Sequence, residues 1–253
     1  MNRTMSRKAD HVRITLEENV EMEGTGLDCI RFIHTSLPEI DRSEIDMSSR
    51  IFGKSLKFPL MISAMTGGYK GAAQVNRDLA EAAQRHGIAL GLGSMRAMIE
   101  DSSLEETYAV REVAPDILLI GNIGLPQLVS SDFGPVFDAM EKIGVDAIAI
   151  HLNALQEATQ PEGETTFSKG LAAIEEFASQ SRWPVIAKET GGGISREVAD
   201  SLHRAGIAWV DVAGFGGISF AAVESYRAGN CIGRLLADSL STWGIPTAAS
   251  LIE

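Results

Sequence analysis

Short apolar runs alternate with amphipathic stretches along most of the chain, and this alternation predicts a series of βα units. Continuous apolar strands that alternate with helices are typical of a parallel sheet covered by helices. The predicted strands are 58–65, 88–93, 116–123, 147–152, 184–188 and 209–213. The predicted helices are 76–87, 103–114, 136–143, 170–181 and 195–205.

The number and order of these units favour an α/β fold of the TIM-type (β/α)8 barrel, and a doubly wound open sheet is the alternative. After the sixth predicted strand the pattern changes to a longer connection over 215–242, and a further helix is predicted to begin after Pro246. A complete barrel would need about two more βα units. We therefore expect a single, incomplete barrel domain over 1–253, with an N-terminal extension over 1–50.

Composition and charge narrow the function classes. The chain has 253 residues, of which 45% are hydrophobic and 22% charged, as in an ordinary globular domain. A net charge of −12 argues against nucleic-acid binding but allows a local cationic pocket for an anionic ligand. Cys29 and Cys231 have no C-x-x-C spacing, which predicts a reducing cytoplasm. We see no secretion signal and no membrane span in the sequence.

The densest group of reactive side chains follows the fourth predicted strand. His151, Asn153, Gln156 and Glu157 lie within one short segment, and reactive groups of barrels gather at the carboxyl ends of strands. His151 and Asn153 are two residues apart and so point the same way from a strand. Such a set can bind a diphosphate, hold Mg²⁺ through Glu157 and move a proton. A purely structural histidine is the alternative.

Other strand ends also carry candidate ligand-binding groups. Lys188 ends the fifth strand, where burial is costly without an anionic or electron-rich partner; a surface pair with Glu189 is the alternative. Ser94 and Arg96 follow the second strand and suit a phosphate, unless they are a helix cap and a surface arginine. Gly67 follows the first strand and would let the backbone approach a flat or anionic ligand, or simply form a tight turn.

Three further positions have both a functional and a structural interpretation. Asn122 in the third strand needs a hydrogen-bond partner, either a ring edge or a backbone group. Ser219 lies in a Gly-rich turn that suits a phosphate or sugar hydroxyl, or is a flexible loop. Near the N-terminus, Arg7, Lys8 and His11 form a small basic group. Such a tail is normally solvated, but it could instead clamp a phosphate in a neighbouring subunit.

These motifs, in this order, resemble the type 2 isopentenyl-diphosphate δ-isomerases, and the resemblance covers nearly the whole chain. Segments 7–11 and 151–157 are its most specific parts. It implies a flavin-binding (β/α)8 barrel, assembled as a homo-oligomer (tetramer or octamer), that interconverts isopentenyl and dimethylallyl diphosphate. It also implies FMN, kept reduced by NADPH, and Mg²⁺. The matching segments are 7–11, 65–68, 91–96, 121–122, 151–157, 188–193 and 214–219.

The resemblance assigns roles by position. Lys188 would stabilise anionic reduced flavin, Gln156 would orient the substrate or relay a proton, and Glu157 would hold Mg²⁺. The catalytic residues would be His151, Gln156 and Lys188. The cofactor would be held by Met65, Thr66, Gly67, Ser94, Asn122, Lys188 and Ser219. The substrate would be held by Arg7, Lys8, Ser94, Arg96, His151, Asn153 and Gln156.

The chain departs from the family pattern at two points. Ile218 stands where the family more often has Thr, which removes one hydroxyl contact at the cofactor. The Gly-rich loops after the family's last two strands, which bind the FMN phosphate, have no counterpart here. We therefore expect a fragment that binds FMN weakly or not at all. The alternatives are another FMN-dependent barrel, such as a 2-hydroxy-acid oxidase with His151 as its base, and a non-catalytic truncated protein.

Overall fold

The computed structural model describes residues 3–129 and 132–253. Its main feature is a sheet of six parallel strands, and a separate two-stranded antiparallel hairpin precedes this sheet. The hairpin strands are β1 (Ser49–Ile51) and β2 (Lys54–Leu56). The sheet strands are β3 (Met61–Ile62), β4 (Ala89–Gly91), β5 (Leu119–Gly124), β6 (Ala147–Leu152), β7 (Val185–Glu189) and β8 (Trp209–Asp211).

The strand order settles the architecture. β3 to β8 pair in sequence order, and every pair is parallel. A doubly wound sheet reverses its strand order part-way, whereas a TIM-type barrel wall does not. The predicted barrel fold is therefore confirmed, with six barrel strands among the described residues.

Helices follow most strands, and further helices come before the first and after the last strand of the sheet along the chain. Three 3-10 helices, at Leu27–Cys29, Arg42–Glu44 and Ser102–Thr107, accompany them. The helices that precede β6 are α1 (Arg3–Glu17), α2 (Ala72–His86), α3 (Arg96–Glu100), α4 (Leu125–Leu128) and α5 (Gly134–Ile143). Those that follow it are α6 (Ala154–Thr159), α7 (Gly170–Gln180), α8 (Arg196–Arg204), α9 (Phe220–Arg227), α10 (Cys231–Leu240) and α11 (Thr247–Ile252).

Two sets of apolar side chains form the core on opposite faces of the sheet. Leu119 and Ile148 belong to the larger cluster, which also includes Phe177 of α7. Leu118 and Ala147, their neighbours in sequence, belong to a smaller cluster with Leu56 of the hairpin. Because successive residues of a strand face opposite sides, the larger cluster lies between sheet and outer helices. The hairpin packs against the inner face near the amino ends of the strands.

The helix predictions failed in two places. Segment 103–114 does not form an α-helix: its first part is the 3-10 helix Ser102–Thr107, and turns follow. Asp101 accepts hydrogen bonds from the backbone and hydroxyl of Ser103, and such local side-chain bonds compete with helix formation. The connection 215–242 contains α9 and α10, which the sequence interpretation did not include. The helix expected after Pro246 is confirmed as α11.

The N-terminal extension differs from the tail that its composition suggested. Its first part is the helix α1, which packs against α9. Between α1 and the hairpin, the chain has only two 3-10 helices and an isolated bridge from Glu21 to Ile218. Phe32 and Ile33 in this segment are 97% and 95% exposed. No helix among the described residues combines the length and apolar character that crossing a bilayer requires.

Candidate functional site

A cavity of about 280 Å³ lies at the carboxyl ends of the parallel strands, the face where TIM-type barrels place their active sites. The strand ends form its floor, and Arg7, Lys8 and His11 of α1 and Phe220 of α9 form part of its wall. Most of the side chains predicted from the sequence meet here. These are Arg7, Lys8, Met65, Ser94, Arg96, Asn122, His151, Asn153, Gln156, Glu157 and Lys188.

Three predicted site residues lie outside this cavity wall. The hydroxyl of Thr66 bonds to the side chain of Asn76 instead. Gly67 has a φ of 147°, and a Cβ there would overlap the ring of Tyr108. The missing side chain of this glycine therefore makes room for the ring of Tyr108. Ser219 caps α9 by accepting a hydrogen bond of 3.3 Å from the backbone N–H of Ala222.

The ammonium of Lys8 is held by two neutral oxygens. Its Nζ donates to the carbonyl of Ser94 at 2.8 Å and to the hydroxyl of Tyr108 at 3.0 Å. Within the described part of the chain, it has no ion-pair partner at salt-bridge distance. Burial, and then the charge of Arg7, lower the pKa of Lys8 to about 7, while Glu100 acts in the opposite direction. The basic group is thus part of a cavity in its own chain, and not a solvated tail.

A second attachment holds α1 about one helical turn after Lys8. Nε2 of His11 contacts Oε1 of Glu224 on α9 at 2.7 Å, and Arg227 holds the other oxygen of that carboxylate at 2.6 Å. Glu224 is fully buried. Burial alone would raise the pKa of Glu224, but the hydrogen bonds and charges of His11 and Arg227 outweigh it and hold the pKa below its usual value. The carboxylate therefore stays ionised and ties α1 to α9.

His151 is a neutral group in this cavity. Its Nδ1 lies 2.7 Å from Oδ1 of Asn122, and a carbonyl oxygen only accepts, so Nδ1 carries the hydrogen and Nε2 keeps its lone pair. Burial, then the charges of Lys188, Lys8 and Arg7, lower the pKa of His151 to about 3. The buried Asn122 finds its partner in the imidazole of His151, a protein side chain that the sequence does not single out as its partner.

The segment after β6 contains an unused acceptor beside a carboxylate. Nδ2 of Asn153 donates to Oε1 of Glu157 at 2.9 Å, and the backbone N–H of Glu164 donates to Oε2 at 2.6 Å. Oδ1 of Asn153 is buried and has no hydrogen-bond partner among the described residues. Buried acceptors are normally satisfied. An unpaired oxygen in the cavity wall is therefore consistent with a ligand or water that donates to it.

A single carboxylate faces the cavity at the predicted metal position. No group of three or more His, Cys, Asp or Glu side chains suited to a metal ion occurs in residues 3–129 and 132–253. Mg²⁺ needs less from the protein, because it keeps several waters and binds substrate phosphates together with one or two carboxylates. Glu157 fits that pattern through its oxygens and adjoins Asn153.

Lys188 differs from Lys8 in having an acidic partner. Its Nζ lies 3.0 Å from Oδ2 of Asp211, the residue opposite it in the β7–β8 ladder. The alternative of a surface pair with Glu189 is wrong. Within Glu189, Lys188 contacts the backbone carbonyl oxygen and not the carboxylate. That carboxylate accepts hydrogen bonds from the backbone N–H groups of residues 190–192.

Arg96 lies at the cavity edge with its charge already paired. It contacts Glu100 at 2.6 Å and Glu164 at 2.8 Å. Sequence reasoning missed both of these acidic partners. It also missed Asp211 and Tyr108. Asp211 could have been found, because it is an acidic residue at a strand end. Tyr108 could not, because it lies in a segment that the sequence predicts to be helical.

Sequence comparison identifies relatives over nearly the whole chain. The isopentenyl-diphosphate delta-isomerase of Archaeoglobus fulgidus is 47% identical over 251 residues, which cover 99% of this chain and 73% of the relative. The enzyme of the same name from Pyrococcus furiosus is 49% identical over 260 residues, which cover 99% of this chain and 66% of the relative. The chain belongs to the isopentenyl-diphosphate delta-isomerase family.

Two further kinds of comparison bear on the cofactor class and on the fold. A profile of the FMN-dependent dehydrogenase family matches residues 7–117 of this family member. A chimera of (S)-mandelate dehydrogenase has a similar fold, with a TM-score of 0.53 and 18% identity, covering 79% of this chain and 65% of that one. Mandelate oxidase has a TM-score of 0.53 and 17% identity, covering 94% and 75%. At such low identity these structures bear on the fold alone.

Proposed function

We propose that this chain interconverts isopentenyl diphosphate and dimethylallyl diphosphate, as a step of isoprenoid biosynthesis, with reduced FMN, NADPH as the reductant and Mg²⁺. The observation that carries the proposal is the Lys8 ammonium, which faces the cavity between two neutral oxygens. A cation without a carboxylate partner suits a ligand that brings its own negative charge. A diphosphate provides that charge, and the names of the relatives agree with it.

The charged end of the substrate would lie between α1 and the segment after β6. Arg7 and Lys8 would bind the diphosphate oxygens, and Asn153 and Gln156 would orient them. Glu157 would hold Mg²⁺ on the same group, since one carboxylate and phosphate oxygens are typical ligands of this ion. The neutral His151 would accept or pass a hydrogen through Nε2 without adding a fixed positive charge.

The hydrocarbon end would face the strand ends that suit a flavin. Met65, Ser94, Asn122 and Lys188 would hold FMN, and the cavity at their strand ends provides room for part of it. Reduced FMN, when bound, would supply electron density that stabilises cationic character in the alkene during proton transfer. Lys188 would place positive charge near the ring, and Asp211 keeps that ammonium in one position.

Assembly and compartment are part of the same proposal. We infer that the protein works in the cytoplasm as a homo-oligomer, without nucleic-acid or membrane partners. The exposure of Phe32 and Ile33 supports self-association, because large apolar side chains on a surface mark contact sites. Light scattering of the purified chain and of a Phe32→Ser, Ile33→Ser variant tests this point. A monomeric wild type would contradict it.

An anaerobic assay tests the activity. The purified chain is incubated with isopentenyl diphosphate, FMN, NADPH and Mg²⁺. Because the product has the same mass as the substrate, acid first hydrolyses the allylic diphosphate, and mass spectrometry then measures the alcohol released. We expect product formation without net flavin oxidation, and loss of product in Lys8→Met. Flavin bleaching by a 2-hydroxy acid, with no allylic product, would favour an oxidase. The exposed Lys57→Met variant is the matched control.

A further inference from the structure

Tyr108 connects two parts of the cavity wall, at Lys8 and Ser94, to the glycine pair Gly67 and Gly68 behind it. It follows the 3-10 helix Ser102–Thr107, and its ring is fully buried. The ring lies on Gly67, where any Cβ would overlap it. At Gly68, a Cβ would overlap the Cβ of Ala97. It would also lie 2.9 Å from the Tyr108 hydroxyl and 3.0 Å from Nζ of Lys8. The paired glycines therefore make room for Tyr108, Lys8 and Ala97.

The hydroxyl of Tyr108 presents an acceptor to Lys8. It has a single hydrogen, which it donates to the carbonyl of Ser94 at 2.6 Å. Its lone pairs then face Nζ of Lys8 at 3.0 Å. Burial raises the pKa of Tyr108, so the hydroxyl stays protonated and neutral at physiological pH. Tyr108 thus fixes a cation without neutralising it.

We propose that Tyr108 is a positioning residue that holds the Lys8 ammonium at the cavity wall, ready for the anionic group of the ligand. The inference rests on the proposed function for the identity of that ligand, a diphosphate. Of the three N–H donors of an ammonium, Ser94 and Tyr108 engage two. The third remains for a phosphate oxygen. A carboxylate in place of Tyr108 would fix the side chain equally well but would repel the ligand.

The charge state of Lys8 provides a direct readout. The groups that influence it are Arg7 on the same helix, Glu100 on α3, Tyr108, and His151 at the end of β6. Binding of an anion requires the ammonium form, so the affinity for diphosphate falls as the pH rises through about 7. Tyr108→Phe removes an acceptor that favours the ammonium. The fall in affinity then begins at a lower pH, a change that loss of packing alone would not produce.

Calorimetric binding of inorganic diphosphate to the full chain, with FMN and Mg²⁺ present, tests the inference. We compare wild type, Tyr108→Phe, Lys8→Met and the double variant between about pH 6 and pH 9. We expect Tyr108→Phe to weaken binding about tenfold at the acidic end. We expect the double variant to bind no more weakly than Lys8→Met alone. Melting temperatures establish that every variant folds.

A matched control and two contrary outcomes complete the test. Tyr226 on α9 is 41% exposed and outside the cavity wall, so Tyr226→Phe should bind like wild type. Equal loss from Tyr108→Phe with and without Lys8, or no loss at all, would overturn the inference. If wild type isomerises the substrate and Tyr108→Phe binds diphosphate as well as wild type does, the inference fails and the proposed function stands. If the double variant binds diphosphate as expected but the wild-type chain does not isomerise the substrate, only the proposed function is overturned.

Discussion

The two lysines of the cavity are held in different ways. Lys188 contacts the carboxylate of Asp211 at 3.0 Å, whereas Lys8 contacts only the neutral oxygens of Ser94 and Tyr108. A partly buried cation without a counter-charge is costly to the ligand-free protein. Proteins retain such costs at functional sites. The side of the cavity at Lys8 therefore suits an anionic ligand, whereas the charge on the side at Lys188 is already balanced by Asp211.

The two lysines also depend on different parts of the fold. Lys188 and Asp211 are opposite one another in neighbouring strands, so the ladder of the sheet fixes their distance. Lys8 belongs to α1, which lies outside the sheet. Its position depends on contacts made elsewhere on that helix, which include the one between His11 and Glu224 and the apolar cluster of Ile14 with Val223. A substitution far from the cavity can therefore displace Lys8, whereas Lys188 is fixed by the sheet.

Replacing Glu224 should have the largest effect. Glu224→Ala leaves the partly buried Arg227 and His11 without the carboxylate that joins them, and we expect the free energy of unfolding to fall by about 3 kcal/mol. Diphosphate binding should weaken as well, because α1 loses its attachment to α9. Urea unfolding measures the first effect and calorimetry the second. Glu81→Ala, which removes an exposed ion pair with Arg77, is the control and should cost less than about 0.5 kcal/mol. Equal losses in the two variants would contradict the role of Glu224.

Asp211→Asn should have the next largest effect, because it makes Lys188 resemble Lys8. The substitution keeps the shape of the side chain but removes its charge, which leaves a 9% exposed ammonium unbalanced. We expect about 2 kcal/mol less stability in urea unfolding. We also expect tighter binding of inorganic diphosphate at low ionic strength, because the cavity gains net positive charge. Asp138→Asn on the exposed face of α5 is the control. Weaker diphosphate binding in Asp211→Asn would show that Asp211 does more than balance charge.

The sequence predicts the central strands well because β4, β5 and most of β6 are buried on both faces. Runs 116–123 and 147–152 are mostly apolar, and the structure places β6 at the predicted residues and β5 within three residues of its predicted bounds. The cavity-lining residues at strand ends could be predicted for the same reason, since the topology of a parallel sheet brings its carboxyl ends together. His151 and Lys188 are therefore found where the pattern put them.

Long-range partners could not be predicted in this way. Tyr108 and Lys8 are 100 residues apart, and His11 and Glu224 are 213 apart. No local periodicity encodes such contacts. The glycine pair Gly67 and Gly68 indicated a close approach, but the sequence could not show that the approaching groups are Tyr108 and Lys8. The helix α1 was missed because its packing against α9, and not its polar composition, stabilises it.

Lys8→Met should have the smallest effect on stability and the opposite sign. The folded-state pKa of Lys8 is about 7, below the ordinary value of 10.5. Between these values the unfolded chain binds a proton that the folded chain does not, so wild-type stability rises with pH across this window.

Below pH 7 the partly buried ammonium lowers stability, and methionine removes that cost while Tyr108 and Ser94 stay bonded to each other. We expect Lys8→Met to gain about 1 kcal/mol at pH 6 and less as the pH rises. Urea unfolding of the ligand-free chain at several pH values measures this gain, and the exposed Lys57→Met variant should show none. A Lys8→Met variant that is less stable than wild type at pH 6 would mean that the neutral oxygens of Ser94 and Tyr108 already offset the charge.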